Sequence, residues 1–388
     1  MKEARLEEEK QIMMREMAMQ PDFVRRNVPP MLEAMREAVA ARPAHAVSAG
    51  FSIGCGDSYC AALAARSFMM NATQRMIEPV ESLEFSRYLV DYIPADAFVF
   101  GVSNSGTVSR TIEGVRLARE RGAWTFAVTV DATNRLANTA ETLIKVNATP
   151  NIKERPDGTR VVTPGTVTYT ASLLGLCLAG VALGERVGSL DAKRSWAIVD
   201  EFDRLADGMA IADEASRRTA AEIAASFTPD RKTVVLGGGP NYATAYFGMA
   251  KWHEALTRPC HTSELEEWAH EEYFITDDET DTFILLPPGG GHGRGLEQAM
   301  AAKDMGSRVI VIAAEGDEDA RRIADVLFAM PRDIPEPLTP FVYKAPFEHL
   351  SCRIASEQKI PFLGFHNPKR QQVNFRQIFN SAEAAKAQ

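Results

Sequence analysis

Twice in this chain an apolar run of strand length ends in a glycine-rich turn and passes directly into a long helical run. The first passage is Ala46–Ile53, then Gly54-Cys55-Gly56-Asp57-Ser58, then Tyr59–Met70. The second, about 180 residues on, is Thr233–Leu236, then Gly237-Gly238-Gly239-Pro240-Asn241, then Tyr242–Leu256. Two copies at that distance are too far apart for a solenoid repeat and imply a duplicated domain. The alternation continues around each copy. Ala97–Val102 ends in Ser103-Asn104-Ser105-Gly106-Thr107 and leads to a helix over Thr111–Arg121, with Ile112, Val115 and Ala118 on one face, and a strand over Thr125–Val130. In the second half, Thr282–Leu286 ends in Pro287-Pro288-Gly289, followed by a helix over 294–305 and a strand over Arg308–Ala313. Strands alternating with helices require parallel sheets with crossover helices. Such sheets bind ligands at the carboxyl ends of their strands, where these polar, glycine-containing loops fall.

The rest of the chain frames these units. Residues 3–45 carry apolar positions at helical spacing (Ile12, Met13, Met17), with Pro21 and Pro29-Pro30 expected to interrupt the run. Pro156, Asp157-Gly158 and Pro164-Gly165 mark 151–168 as a loop before a helix over 168–183. Residues 190–227 read as a charged linking helix or helix pair, and 345–358 as a further helix ahead of a basic segment, His366–Gln372. The expected fold is α/β: two domains, each a parallel sheet flanked by helices in three layers, with N-terminal helices. The expected divisions are an N-terminal helical segment 1–44, a first domain 45–189, a helical linker 190–228, a second domain 229–365 and a tail 366–388. A length of 388 residues suits two such domains.

Composition excludes several classes. Apolar residues make up 45% and charged residues 24%, an ordinary globular mix. The net charge is −9 and no Lys/Arg-rich run stands out, so no nucleic-acid partner is expected. An acidic chain can still hold a phosphate locally, on backbone N–H groups and hydroxyls at a helix N-terminus. Cys55, Cys60, Cys177, Cys260 and Cys352 are odd in number and scattered, so neither a disulfide framework nor a zinc site is expected. No metal or cofactor is implied. The start, MKEARLEEEKQ, has no apolar core of a signal peptide, and the apolar stretch Ala171–Leu183 is too short for a bilayer. A cytoplasmic protein with no membrane partner is the expectation.

A phosphate needs several donors converging from rigid backbone. Ser103-Asn104-Ser105-Gly106-Thr107 offers three hydroxyls, an amide and a flexible glycine, and Gly54–Ser58 offers a similar arrangement. Each alone could equally be a plain strand–helix turn with a serine N-cap. On the helix after the second glycine loop, Lys251 and Glu254 share a face, which could equally be a solvated salt bridge. His253 and His261 read as ordinary surface or packed histidines, and Glu266 and Glu271-Glu272 as solvated.

These motifs, in this order, resemble the tandem SIS (sugar isomerase) domain family. Gly54-Cys55-Gly56-Asp57-Ser58-Tyr59 before an alanine-rich helix is similar to the first loop of SIS domains, and Ser103-Asn104-Ser105-Gly106 looks like their SxSG phosphate loop. Met14–Pro21 resembles the lead-in helix of the isomerase half of glucosamine-6-phosphate synthase. Lys251-x-x-Glu254 and Glu267-x-x-His270 stand where sugar-isomerase relatives carry Lys-x-x-Glu and Glu-x-x-His, at the same sixteen-residue interval from Glu254 to His270. The resemblance runs from about residue 11 to 380. It implies that Ser103, Asn104, Ser105 and Thr107 hold a phosphate and that Gly56, Asp57 and Ser58 lie over a sugar. It also implies that Glu254 transfers a proton between C1 and C2, with Lys251 and Glu267 beside the chemistry, and that His270 opens the ring. Partial burial tunes a carboxylate for such a role, and histidine suits ring opening near neutral pH. The histidine is further expected to reach a partner's site in a homodimer.

The departures point to a different reaction from fructose-6-phosphate amination. Asp57 replaces the threonine many relatives carry and would suit an amine on the substrate, or would cap the following helix. Glu271-Glu272 follows His270 where relatives have Gly-Pro, Thr107-Val108 replaces Glu-Thr, and Gly165-Thr166-Val167 replaces Ser-Thr-Lys. In the tail, Pro368-Lys369-Arg370 keeps a basic pair, but Val373 falls where a lysine would align. Residue 2 is Lys, not a nucleophilic Cys, so glutamine hydrolysis is not expected. Three readings remain open. One is a deglycase or deaminase acting on an amino sugar phosphate or fructosamine 6-phosphate. Another is an aldose–ketose phosphate isomerase. The third is a non-catalytic sugar-phosphate sensor.

Overall fold

The structure, a computed structural model, describes residues 2–41, 48–148, 152–154 and 160–381. Two helices open the chain, α1 (Lys2–Ala18) and α2 (Gln20–Ala40). They are followed by β1 (Ala49–Gly54), α3 (Asp57–Thr73), β2 (Met76–Glu81), α4 (Ser82–Glu84), β3 (Phe98–Val102), α5 (Ser109–Glu120), β4 (Trp124–Thr129), α6 (Arg135–Thr139) and β5 (Thr142–Lys145). A short antiparallel pair, β6 (Ile152–Glu154) and β7 (Arg160–Val162), precedes α7 (Val167–Val187) and α8 (Ala192–Ala225). Then come β8 (Lys232–Gly237), α9 (Pro240–Lys251), β9 (His261–Glu264), α10 (Leu265–Trp268), β10 (Thr280–Leu286), α11 (His292–Asp304), β11 (Arg308–Ala314), α12 (Glu318–Ile323) and β12 (Val326–Met330). The chain closes with α13 (Pro340–Tyr343), α14 (Ala345–Glu357) and α15 (Pro368–Phe379). The expected strand start at Ala46, the turn residues Pro156 and Asp157-Gly158, and the tail beyond 381 lie outside the described residues.

The chain forms two compact units. The first comprises Asp22–Asn151, Val167–Asp203 and Phe365–Gln388. The second comprises Met1–Pro21, Ile152–Thr166 and Arg204–Gly364. The first holds a five-stranded parallel sheet of order β2-β1-β3-β4-β5, the second one of order β9-β8-β10-β11-β12. Both are the same doubly wound order. Each has a switch point, between β1 and β3 in one sheet and between β8 and β10 in the other, where the winding direction reverses and a crevice opens at the strands' carboxyl ends. The duplication extends to dihedral angles. Gly56 before α3 has φ 56° and ψ −131°, and Gly239 before α9 has φ 55° and ψ −131°. At the far ends, Gln74 (φ 52°, ψ 37°) and Thr257 (φ 52°, ψ 36°) make the same left-handed cap.

In the first unit β3 and β4 are buried along their whole length, which is why they read as continuous apolar runs. Phe100 stacks on Phe126 at 4.7 Å, and Trp124 meets Phe126 at 4.7 Å. Small residues let α3 and α7 approach closely. A Cβ on Gly184 would fall 2.4 Å from the Ala72 carbonyl oxygen, and Ala61, Ala62, Ala64 and Ala65 are fully buried. The apolar run proves longer than the sequence reading had it. α7 has 21 residues, long and apolar enough by composition to cross a membrane, and is buried from Val167 to Gly184 as a core helix.

A buried polar cluster organises the second unit. Lys344 Nζ donates to Glu348 Oε1 (2.8 Å) and to Gln20 Oε1 (2.5 Å), and Gln20 Nε2 donates to Glu348 Oε2 (3.0 Å). Burial pushes the Lys344 ammonium pKa down, and the Glu348 carboxylate pulls it back up. One expectation from the sequence is corrected and one alternative is resolved. Pro29 and Pro30 lie inside α2 and do not interrupt it, and of the two forms expected over 190–227 the chain takes the single helix, the 34-residue α8 (Ala192–Ala225).

Candidate functional site

The first unit's switch-point crevice is lined by two loops. β1 ends at Gly54, where a Cβ would fall 2.8 Å from the Ser58 carbonyl carbon, so the chain can only turn into α3 this tightly with glycine. Gly56 then takes a positive φ and caps α3 without a side-chain bond. Cys55 and Gly56 are exposed, and Asp57 and Ser58 are half-buried on the first turn. The site readings for Gly56, Asp57 and Ser58 thus fall on the N-terminus of a 17-residue helix, where the macrodipole favours an anion.

The second loop runs from β3 into α5. Ser103 is 1% exposed, and its Oγ has no hydrogen-bond partner among the described residues, nor has the buried Nδ2 of Asn104. Leaving such donors unmade costs about 1–3 kcal/mol each, so a structure that keeps them has a use for them. Ser105 Oγ and Thr107 Oγ1 lie 2.8 Å apart. The next strand and turn clamp the loop. Ser103 N donates to Val128 O (3.1 Å), Val130 N and Thr129 Oγ1 donate to Asn104 O (3.2 and 3.1 Å), and Leu136 N donates to Gly106 O (3.0 Å). Gly106 has φ 64°, and a Cβ there would overlap the Asn134 side chain at 2.0 Å. Asn134 in turn donates to Thr129 Oγ1 (2.7 Å) and accepts from Ala137 N (2.9 Å), capping α6. Thr129 and Asn134 escaped the sequence reading. Their signal was a polar N-cap residue just after a strand. Arg110, in the first turn of α5, also escaped it and is held by Glu113 (2.7 Å) and Ser381 Oγ (2.9 Å).

The acid–base candidates lie in the second unit. Lys251 is fully buried, its ammonium paired with Glu254 and 4.7 Å from the centre of the Phe247 ring. This excludes the solvated helix salt bridge that the spacing alone allowed. Glu254 sits on a π-helical turn, Trp252–Leu256, with 29% of its side chain exposed. A π turn is often found at functional sites. His270 is 68% exposed, with Nε2 3.7 Å from Glu266 Oε1, and Glu267 is exposed beside it. Glu266 does more than face solvent. Arg294 binds it at 2.6 and 3.1 Å and holds its carboxyl below the usual carboxylate range. His253 and His261 are exposed, as expected. Lys369 and Arg370 project from the first turn of α15, a placement the helix dipole opposes. No cluster of potential metal ligands exists among the described residues. A cavity of about 610 Å³ lies at the amino ends of β8, β10 and β11, lined by Arg231, Lys303 and Arg308. Its cations are already paired with Asp281 and Asp325, and it is on the wrong edge of the sheet for a switch-point site.

A doubly wound sheet whose strand–loop–helix turns carry unsatisfied serine and asparagine donors invites comparison with sugar-phosphate proteins. Residues 50–174 match the SIS domain family. That segment holds both loops of the first crevice. Among curated proteins, the glutamine–fructose-6-phosphate aminotransferase of Thermus thermophilus is 25% identical over 303 residues, 78% of this chain and 48% of that protein. The chain spans about half the length of the curated relatives it matches. Among solved structures, the C-terminal domain of glucosamine-fructose-6-phosphate aminotransferase from Francisella tularensis superposes with a TM-score of 0.74 at 15% identity, covering 88% of this chain and 95% of that one. Glucosamine-6-phosphate deaminase from Thermotoga maritima gives 0.67 at 14% identity, covering 89% and 96%. These superpositions show the fold: two parallel-sheet α/β units like those of the two structures.

Proposed function

We propose that the chain converts a phosphorylated amino sugar or fructosamine 6-phosphate by base-catalysed enolisation followed by C–N cleavage. The observation that carries this reading is the first crevice, where Ser103 Oγ and Asn104 Nδ2 are buried with no hydrogen-bond partner among the described residues, on the loop that leads into α5. Those donors suit a phosphate. The SIS match over 50–174 supports the same ligand class. Asp57, half-buried on the first turn of α3, supports an amine-bearing sugar over a neutral one.

In this reading Glu254 takes the proton from C1 of the aminated ketose, giving a 1,2-enaminol. The proton returns at C2, leaving a C1=N imine. Water adds to C1, the C–N bond breaks, and an aldose phosphate and a free amine leave. A half-buried carboxylate steadied by the Lys251 ammonium supports the base role. His270 serves ring opening. The exposed Tyr273, Phe274 and Ile275 beside it support its use at a subunit contact in a homodimer.

The test is a screen of wild type and Glu254→Gln against hexose 6-phosphates and their amino and fructosamine derivatives. Wild type should release amine, and Glu254→Gln should bind substrate with near-unchanged affinity and release none. Equal turnover by both proteins removes Glu254 from the chemistry. Ketose–aldose interconversion without amine release favours the isomerase reading, and tight binding with no turnover of any compound favours the sensor.

A further inference from the structure

The duplicated fold builds two switch-point crevices, and they are not in the same state. In the second unit the loops are Gly237-Gly238-Gly239 before α9 and Pro287-Pro288-Gly289-Gly290-Gly291 before α11. Neither helix has a side-chain cap; Gly239 and Gly291 stand at the cap positions. The carboxylate of Glu336 lies between them. Gly290 N–H donates to Glu336 Oε2 at 3.3 Å. A Cβ on Gly289 would fall 2.1 to 2.3 Å from the Glu336 carboxylate atoms, and one on Gly239 would fall 3.7 Å from Oε1. Among the described residues no lysine, arginine or histidine pairs with Glu336. A carboxylate without a cation, seated against a backbone N–H at two helix N-termini, occupies the position that such a fold offers to a bound anion.

We propose that Glu336 is a built-in anion that closes the second crevice, and that this crevice is a latent site for a phosphate. The strap bearing Glu336 is held firmly. Thr339 Oγ1 donates to Glu336 O (2.6 Å), Asn241 Nδ2 donates to Thr339 Oγ1 (2.6 Å), and Asn241 and Thr339 are fully buried. Asn241 lies on the first turn of α9, so the strap is tied to the loop it covers. The contrast between the two loops explains why one is open and the other plugged. Counting from the strand ends, Pro287 and Gly289 stand where the first crevice has Ser103 and Ser105, so the loop itself carries no hydroxyl. Glu264, which caps α10, adds a second carboxylate 3.6 Å from a Cβ position on Gly238. The consequence is a chain that offers phosphate one crevice and not two, with Glu336 as the residue that decides it.

The test follows the backbone amides of Gly290 and Gly291 by NMR in the full-length, isotopically labelled chain during titration with inorganic phosphate, against sodium chloride at matched ionic strength. In wild type they should stay still. In Glu336→Ala they should shift and saturate with phosphate and not with chloride. If Glu336→Ala loses the wild-type circular dichroism spectrum, Glu336→Ser, which keeps a polar group on the strap, takes its place. Phosphate-dependent shifts of Gly290 already present in wild type, or none in the folded variant, overturn the proposal. The Gly106 amide reports the first crevice in the same spectra, so failure there is read separately.

Discussion

Gly106→Ala should dismantle the first crevice, and the cost can be assembled from its surroundings. The residue has φ 64°, where an L side chain costs about 1–2 kcal/mol. The new Cβ would fall 2.0 Å from Asn134 Cγ, so Asn134 must swing away. That breaks its cap on Ala137 N, worth about 1 kcal/mol, and its bond to Thr129 Oγ1, worth about 1 kcal/mol more. The total is about 3–4 kcal/mol. Asn134→Ala alone should cost about 2 kcal/mol, the sum of the last two contributions. Because those are lost only once, the double variant should cost about 3–4 kcal/mol, well short of the sum of the singles. Urea unfolding followed by Trp124 fluorescence measures all three proteins, and calorimetry with inorganic phosphate measures the crevice. Additive costs, or phosphate affinity unchanged by Gly106→Ala, would refute the clamp.

Ser103→Ala removes a buried hydroxyl that has no partner among the described residues, so stability should hold or rise by about 1 kcal/mol while phosphate binding falls roughly ten- to hundredfold; the opposite pattern contradicts a ligand role. Arg36 binds Glu185 at 2.9 and 2.7 Å, and its hydrogen bonds hold that carboxyl below its ordinary 4.5. The folded-state pKa is therefore depressed. The pair's stabilisation should be complete above pH 4.5 and fade as the pH falls through the lowered value, and Glu185→Gln should flatten that part of the urea-midpoint profile. Of the five thiols only Cys55 is exposed, and burial pushes those of Cys177 and Cys260 up and that of Cys352 up to about 12. Native protein should thus alkylate quickly at Cys55 alone, and more slowly with a sugar phosphate bound beside it. Fast labelling of Cys177 would contradict the core assignment.

The glycine turns carried most of what the sequence disclosed. Gly54, Gly56, Gly237 and Gly239 mark backbone that only glycine can follow, and the apolar runs before them are the interior strands β1 and β8. The edges were harder to see. β2 and β12 alternate buried and partly exposed positions over five or six residues, and β9 carries His261 and Glu264 on an otherwise polar run, so none has the apolar continuity of β3 or β10. α2 passed through Pro29-Pro30 because tertiary packing holds it; Val24, Val28, Met31, Leu32 and Met35 are all buried. In the site, hydroxyl-rich spacing singled out Ser103–Thr107; Asn134 showed only as an N-cap after a strand, and its clamp on the loop through Thr129 depends on adjacent strands that no local pattern joins. Glu336 was invisible for the same reason. It lies 46 residues from Gly290, and only the fold joins them.

A crystal structure of the protein with glucosamine 6-phosphate bound addresses the main assertion without intermediaries. The phosphate should sit at the carboxyl ends of β1 and β3, within hydrogen-bond distance of Ser103 Oγ and Asn104 Nδ2. A phosphate held elsewhere, with those two donors still lacking partners, would mean that the first crevice does not grip the substrate.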